Sequence, residues 1–424
     1  MKINNCRLCN GKLSEPKINL GSTPLANEFL SEKIEQETFP LEVCVCESCQ
    51  HYQLNESIDP EKLFRHYVFV AGTSPVNVQH FKNYAEHMVE KFSYKPGDKV
   101  LDIASNDGTL LQHFKNLEMK GLGIDPAKNI AEIANNNGIE TIAEFFTESY
   151  ADTILEKYGK FDLITANNVF AHVPDMIGFA KGVKKLLADQ GVFSFEVSYF
   201  GDVCDDVLFD TIYHEHSSYH TITPLISFFK SHGLHILDVE KITNHGGSVR
   251  IFVINSENIE NNRLSSEDYW CPLDNCRKWH SKYLHFNNTS MLTHHEENIS
   301  EKVIKLQKDI KYLGLELREI LNNLYQNGKT IAAYGVPAKA TTLTYALKID
   351  ENLISFAVDD NPLKQNTFTP GKHIPVYGTD KLFKDNPDYI LILAWNFAES
   401  IVDKCKKQGY SGKFIIPLPE LKVL

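Results

Sequence analysis

Between Thr211 and His220 the chain reads TIYHEHSSYH, with three histidines, two tyrosines and a glutamate in ten residues. Histidine is the side chain whose ordinary pKa, about 6.5, lets it take and return a proton near neutrality. A neighbouring carboxylate orients an imidazole or binds a hydroxyl, and a tyrosine hydroxyl donates to a developing oxyanion. By residue type, His216 is the candidate base, Tyr213 the donor and Glu215 the orienting acid. If the segment is extended, His214 turns to the opposite face. The plainer reading is a solvated loop with incidental histidines.

A second set of reactive side chains lies near the N-terminus. CRLC (Cys6, Cys9) and CESC (Cys46, Cys49) are two C-x2-C pairs separated by 36 residues. Each pair can take two corners of a tetrahedron around zinc, with Zn–S near 2.3 Å. Four cysteine ligands leave no position for a reacting water, so the zinc is expected to be structural. Cys44 lies two residues before Cys46, on the same strand face, and is a spare thiol able to replace a ligand. The opposing reading is four unrelated buried cysteines.

These groups need elements to hold them. The 424 residues are too many for one core, so two or three domains are expected. A formal net charge of −12 argues against a nucleic-acid partner, which selects a basic face. The opening MKINNCRLCNGK lacks the apolar core of a signal peptide, and no run has the length of a membrane span. A cytoplasmic protein with reduced thiols, not membrane-bound, is the expectation, and nine cysteines, an odd number, fit it.

From about residue 97, apolar runs alternate with amphipathic ones: KVLDIAS, a helix after NDG, GLGID, FDLITANNVF, a helix over 174–188, GVFSFEVSY and LHILDVEKI. That is the pattern of a doubly wound α/β sheet with its ligand at the carboxyl ends of the strands. DIASNDGTLL has one glycine, Gly108, where a dinucleotide fingerprint has three, so a ligand without a pyrophosphate fits better. Asp125 ends the second strand, where an acid accepts both ribose hydroxyls. It also suits a helix N-cap. Asp102 and Asp107 add negative charge for an amine and a sulfonium. The pattern points to S-adenosylmethionine, held by Asp102, Ala104, Asn106, Asp107, Asp125, Pro126, Asn167 and Asn168.

With these pieces in place, the chain resembles the zinc-containing sugar C-methyltransferases of bacterial deoxysugar pathways, which act on nucleotide-activated 4-ketosugars. LFRHYVFVAGTSP, LDIASNDGTLL, ANNVFAHVPD, YHEH, NHGGSVR, YGVPAKATTLTYAL and LAWNFAES follow the cysteine pairs in family order. The resemblance implies an N-terminal zinc-binding module (1–70), a central Rossmann-like class I methyltransferase domain (71–295) and a C-terminal Rossmann-like α/β domain (296–424). It implies methylation of the carbon beside a ketone through an enolate, with Tyr213 and His216 at the reacting centre and Tyr67 as a further active-site tyrosine. It also makes His172, Glu196, His245 and Gly246 substrate contacts. The segment 255–300 is more polar and asparagine-rich than the family pattern.

In the last third, 297–328 has apolar residues at spacings of three and four before Asn327-Gly328, the signature of a bridging helix. KTIAAYGVPAKATTLTYAL then gives strand, turn at Gly335 and helix. Such a junction binds anions through free helix amides, and Lys339 adds charge, so a diphosphate contact is expected there. A purely structural turn is the other reading. O- or N-methylation of a related sugar, and a non-catalytic sugar-nucleotide scaffold, remain the competing functions. A monomer is expected.

Overall fold

The computed structural model describes residues 1–242, 247–258 and 288–424. The N-terminal part forms β1 (Ile18–Thr23), β2 (Phe39–Val45) and β3 (Tyr52–Leu54). The central part supplies β4 (Lys99–Ile103), β5 (Lys120–Ile124), β6 (Thr141–Ile142), β7 (Phe161–Asn167) and β8 (Leu187–Ser198). It continues with β9 (Ser218–Tyr219), β10 (Leu234–Ile242) and β11 (Ser248–Asn255). The last third has β12 (Ile331–Tyr334), β13 (Phe356–Val358), β14 (Thr367–Phe368) and β15 (Pro375–Tyr377). It ends with β16 (Tyr389–Ile392), β17 (Lys413–Ile416) and β18 (Lys422–Val423).

The central sheet has the order β10-β11-β8-β7-β4-β5-β6. β8, β7, β4, β5 and β6 run parallel, and β11 is antiparallel to β8 and β10. Successive side chains along these strands enter opposite cores. Leu101, Ile164 and Phe193 join one cluster, whereas their neighbours Val100, Leu163 and Val192 join another with Tyr84, Leu111 and Phe114. Strands buried on both faces read as continuous apolar runs, and that is why these were legible as strands. The chain order reverses between β4 and β7, so the ligand crevice lies at their carboxyl ends.

The C-terminal sheet repeats this logic in the order β14-β15-β13-β12-β16-β17-β18. Ala333 and Leu391 face one cluster, while Ala332, Tyr334, Ile390 and Ile392 face another. The expected bridging helix spans Ile299–Gln326 and buries Val303, Leu306, Ile310, Gly314, Leu317 and Leu321, one stripe at three- and four-residue spacing. That stripe packs in one cluster with Ile18, Leu41 and Val43 of the N-terminal sheet and with Phe209 and Ile212. Gly335 turns after β12 at φ +78, and a side chain there would meet Ala394.

The N-terminal sheet has the order β1-β2-β3-β9. Its fourth strand therefore comes from the central part of the chain, within the histidine-rich stretch itself. A boundary at residue 70 leaves this sheet one strand short. Among the described residues, no helix is long and apolar enough to cross a membrane. His245 and Gly246 lie outside the described residues, as does most of the polar segment 255–300.

Candidate active site and metal centre

The two C-x2-C pairs sit at the end of the N-terminal sheet, and their four Sγ atoms all lie within 4.8 Å of one another. Cys6 and Cys49 are 3.6 Å apart, Cys9 and Cys46 3.5 Å. Four sulfurs at about 2.3 Å from one tetrahedral zinc stand roughly 3.8 Å from each other, so the donor set fits that ion. Backbone N–H groups of Leu8 and Ser48 donate to Cys6 and Cys46 sulfur, as thiolates need. Cys44 is buried in β2 and is not part of the cluster.

The donor crevice opens after β4. The backbone turns left-handed at Ala104 (φ +53), Asn106 (φ +50) and Gly108 (φ +78), a conformation unfavourable for two of these three residues and one the surroundings must impose. Asp125 holds the middle one: its carboxylate accepts from Asn106 N at 2.9 Å, and also from Ala127 N at 2.8 Å. Asp125 is thus a loop-former as well as a candidate ribose acceptor, and burial raises its pKa. Asp102 accepts from Thr165 Oγ1 at 2.6 Å, and burial pushes it up to about 7. Asp107 caps Thr109 and accepts from Gly72 N, while Asn106 holds Ala71 N and Phe69 O. The segment 65–73 is thereby laid along the crevice. Arg65 donates to the carbonyl of Pro126.

Two groups in this crevice are buried polar atoms without a hydrogen-bond partner: the Ser105 hydroxyl and the whole side-chain amide of Asn167. Unmade hydrogen bonds of this kind cost about 1–3 kcal/mol each, and a nucleoside supplies the missing partners. Asn168, next to it, is held at φ +56 by a bond from its N–H to Glu196 O. The residues therefore fit S-adenosylmethionine.

From Tyr213 to His216 the histidine-rich stretch is not extended. His216 N donates to Tyr213 O at 2.9 Å, closing a turn that brings residues three apart to the same side. Tyr213 Oη then lies 2.9 Å from His216 Nε2. His216 Nδ1 lies 2.7 Å from Thr211 O, a pure acceptor, so Nδ1 carries the proton and Nε2 accepts from Tyr213. His214 does face away, but because it sits on the outside of the turn, bonded to Pro40 O at 3.2 Å and against the Phe39 ring. Glu215 is buried; its carboxylate accepts from Tyr67 Oη at 2.9 Å and Asn27 Nδ2 at 2.6 Å. Burial pushes Glu215 up to about 7 against these two donors. The His172 ring lies tilted against the His216 ring with centroids 4.9 Å apart, and burial lowers its pKa to about 4.

The structure thus brings Tyr67, His172, Tyr213, Glu215 and His216 together. It does not add Glu196 to them. Glu196 is paired in register with Arg250 across β8 and β11 and accepts two bonds from its guanidinium. Its other oxygen bonds His80 at 2.8 Å. Burial alone would raise this carboxylate, but His80 and Arg250 outweigh it and hold it below the usual range. Where a substrate contact was expected, the structure places Glu196 in a buried ion pair. Lys339 is placed between the domains: its ammonium has no hydrogen-bond partner and lies 5.6 Å from the Trp395 ring centre. Burial lowers its pKa, opposed by Asp210. Asn27 and Asp210 carried no local sequence signal, and Arg250 stood in the NHGGSVR motif without a role assigned to it.

Comparison with known proteins agrees with this assembly. Residues 6–64 match a zinc binding domain family, 78–239 a methyltransferase domain family and 288–419 the C-methyltransferase C-terminal domain family. The chain is 32% identical over 428 residues to the C-methyltransferase NovU of Streptomyces niveus, covering 100% of this chain and 97% of that protein. A ubiquinone biosynthesis O-methyltransferase of Xanthomonas campestris is 28% identical over 98 residues, 23% of this chain and 41% of its own. Among solved structures, a S-adenosylmethionine-dependent methyltransferase from Clostridium acetobutylicum has a TM-score of 0.35 at 17% identity, over 46% of this chain and 96% of its own. End to end, in cysteine cluster, donor crevice and C-terminal sheet, the chain belongs to the zinc-containing, S-adenosylmethionine-dependent sugar C-methyltransferase family.

Proposed function

We propose that the chain methylates the carbon beside the ketone of a nucleotide-diphosphate 4-ketosugar, through an enolate, in deoxysugar biosynthesis. The observation that carries this reading is the Tyr213–His216 pair with the Nδ1 proton anchored on Thr211 O. A substrate C–H brought to His216 Nε2 gives up its proton there, and the electron pair moves to the ketone oxygen. The Tyr213 hydroxyl, released from Nε2, donates to that oxygen. Neutral His172 leaves the new imidazolium unopposed. Glu215 and Tyr67 face the same space and bind a sugar hydroxyl. S-adenosylmethionine supplies the methyl group, held by Asp102, Asn106, Asp125, Asn167 and their neighbours. In this reading residues 1–70, 71–295 and 296–424 provide the zinc module, the donor site and part of the sugar-nucleotide site. The unpartnered Lys339 ammonium supports a diphosphate contact in the last of these.

The test is isotope exchange. In deuterium oxide, with S-adenosylhomocysteine and a panel of nucleotide 4-ketosugars, the wild type washes deuterium into the carbon beside the ketone. His216→Asn keeps S-adenosylhomocysteine affinity but slows exchange and turnover by about 10²–10⁴-fold, the range for losing a general base. Exchange surviving in His216→Asn but lost in Tyr67→Phe would move the base to Tyr67. Exchange surviving in every single variant would remove the enolate reading.

A further inference from the structure

Arg7 lies inside the first zinc knuckle, between Cys6 and Cys9, yet its guanidinium is spent elsewhere. It is buried, and it donates to Leu54 O at 2.8 Å, Ser217 O at 3.1 Å and Glu56 O at 3.4 Å. Its own N–H donates to Gln53 Oε1 at 2.7 Å. Ser217 directly follows His216, and its carbonyl also accepts from Leu54 N. A buried guanidinium on three carbonyls is a charge-assisted clamp, not a surface ornament.

The clamp is one of a series. His214 is bonded to Pro40 O and Glu215 to Asn27. Ser218 and Tyr219 pair with Gln53 and Tyr52, and His220 stacks on His51 at 5.4 Å. The N-terminal part thus holds His214, Glu215 and Ser217–His220, while Tyr213 and His216 bond each other.

We propose that Arg7 is a positioning residue for the reacting stretch, so that the zinc knuckle sets the Tyr213–His216 geometry as well as its own module's fold. This rests on the reading of that stretch as the reacting centre. Catalytic groups must be held to within about 0.5 Å, and a misplacement near 1 Å costs about 10²-fold in rate. A carbonyl pinned one residue from His216 is placed to supply that precision.

The experiment uses full-length, zinc-loaded protein labelled with ¹⁵N-histidine, with S-adenosylhomocysteine bound. The His216 ring signals are identified by their loss in His216→Asn. Wild type shows the Nδ1–H tautomer that the bond to Thr211 O enforces. Arg7→Met, with zinc content and S-adenosylhomocysteine affinity unchanged, shows His216 drifting to a mixed-tautomer average. Its kcat on the 4-ketosugar panel falls about 10–10²-fold with little change in KM. Should Arg7→Met lose zinc, Arg7→Lys keeps the buried charge but not the fork, and carries the same test. Unchanged His216 signals in a zinc-loaded Arg7 variant overturn the proposal, whatever its turnover. Altered signals with normal turnover in both Arg7→Met and His216→Asn support the coupling and overturn His216 as the base.

Discussion

Asn27 Nδ2 donates to Glu215 Oε1 at 2.6 Å, joining residues 188 positions apart in the chain. The carboxylate is caught between an amide from the N-terminal module and the Tyr67 hydroxyl, where burial pushes its pKa up to about 7. An acid with a raised folded-state pKa favours the fold below its unfolded value, about 4.3, and loses that contribution as pH rises through 7. Glu215→Gln has no such titration. Relative to wild type it gains stability at pH 8, by about 1–3 kcal/mol, and the gain vanishes below about pH 4.5. Thermal melts of both proteins across this range check the sign; a gain independent of pH contradicts it.

Asp125 holds the loop through Asn106 and Ala127, and in the proposed reading also accepts the donor's ribose hydroxyls. Asp125→Ala weakens S-adenosylmethionine binding by about 1.5–3 kcal/mol, the scale of charge-assisted bonds, and weakens S-adenosylhomocysteine equally because the ribose is shared. Asp125→Asn keeps one acceptor oxygen and recovers part of the loss. Calorimetry with both ligands distinguishes the outcomes, and unaltered affinity in folded Asp125→Ala removes the ribose assignment.

Metal analysis is expected to find about one zinc per chain on Cys6, Cys9, Cys46 and Cys49, and none in the Cys6→Ser/Cys46→Ser double variant. Cys44→Ser leaves the metal content intact, since that thiol lies outside the cluster. A folded, zinc-free native protein contradicts the assignment.

Glu196→Gln leaves the buried Arg250 guanidinium facing a neutral amide. Breaking a buried pair from one side destabilises by about 3–5 kcal/mol, so a lower melting temperature is expected with donor affinity intact. Substrate KM rising without loss of stability would instead restore Glu196 as a sugar contact.

What was legible in the sequence was local. Cysteine spacing gave the metal cluster because two ligands of each pair share one turn, and strand ends gave Asp102 and Asp125 because the α/β crevice has a fixed address. His214 was given the right direction for the wrong reason: Tyr213–His216 is a turn, not a strand. The ion pair of Glu196 was not foreseen because nothing near it in sequence reveals Arg250, its partner across β8 and β11. Asn27 and Arg7 were missed for the same reason: their partners are other parts of the chain, brought near only by the assembled sheet.

The pairing of β3 with β9 has a consequence for how the chain is made. The strand that closes the N-terminal sheet leaves the ribosome roughly 160 residues after the one it pairs with. At about 5–20 residues per second that is a wait of about ten to thirty seconds, during which β3 presents a bare edge open to wrong pairings. The same dependence limits recombination among relatives. A graft of residues 1–64 into another scaffold carries an incomplete sheet unless Ser217–His220 travels with it.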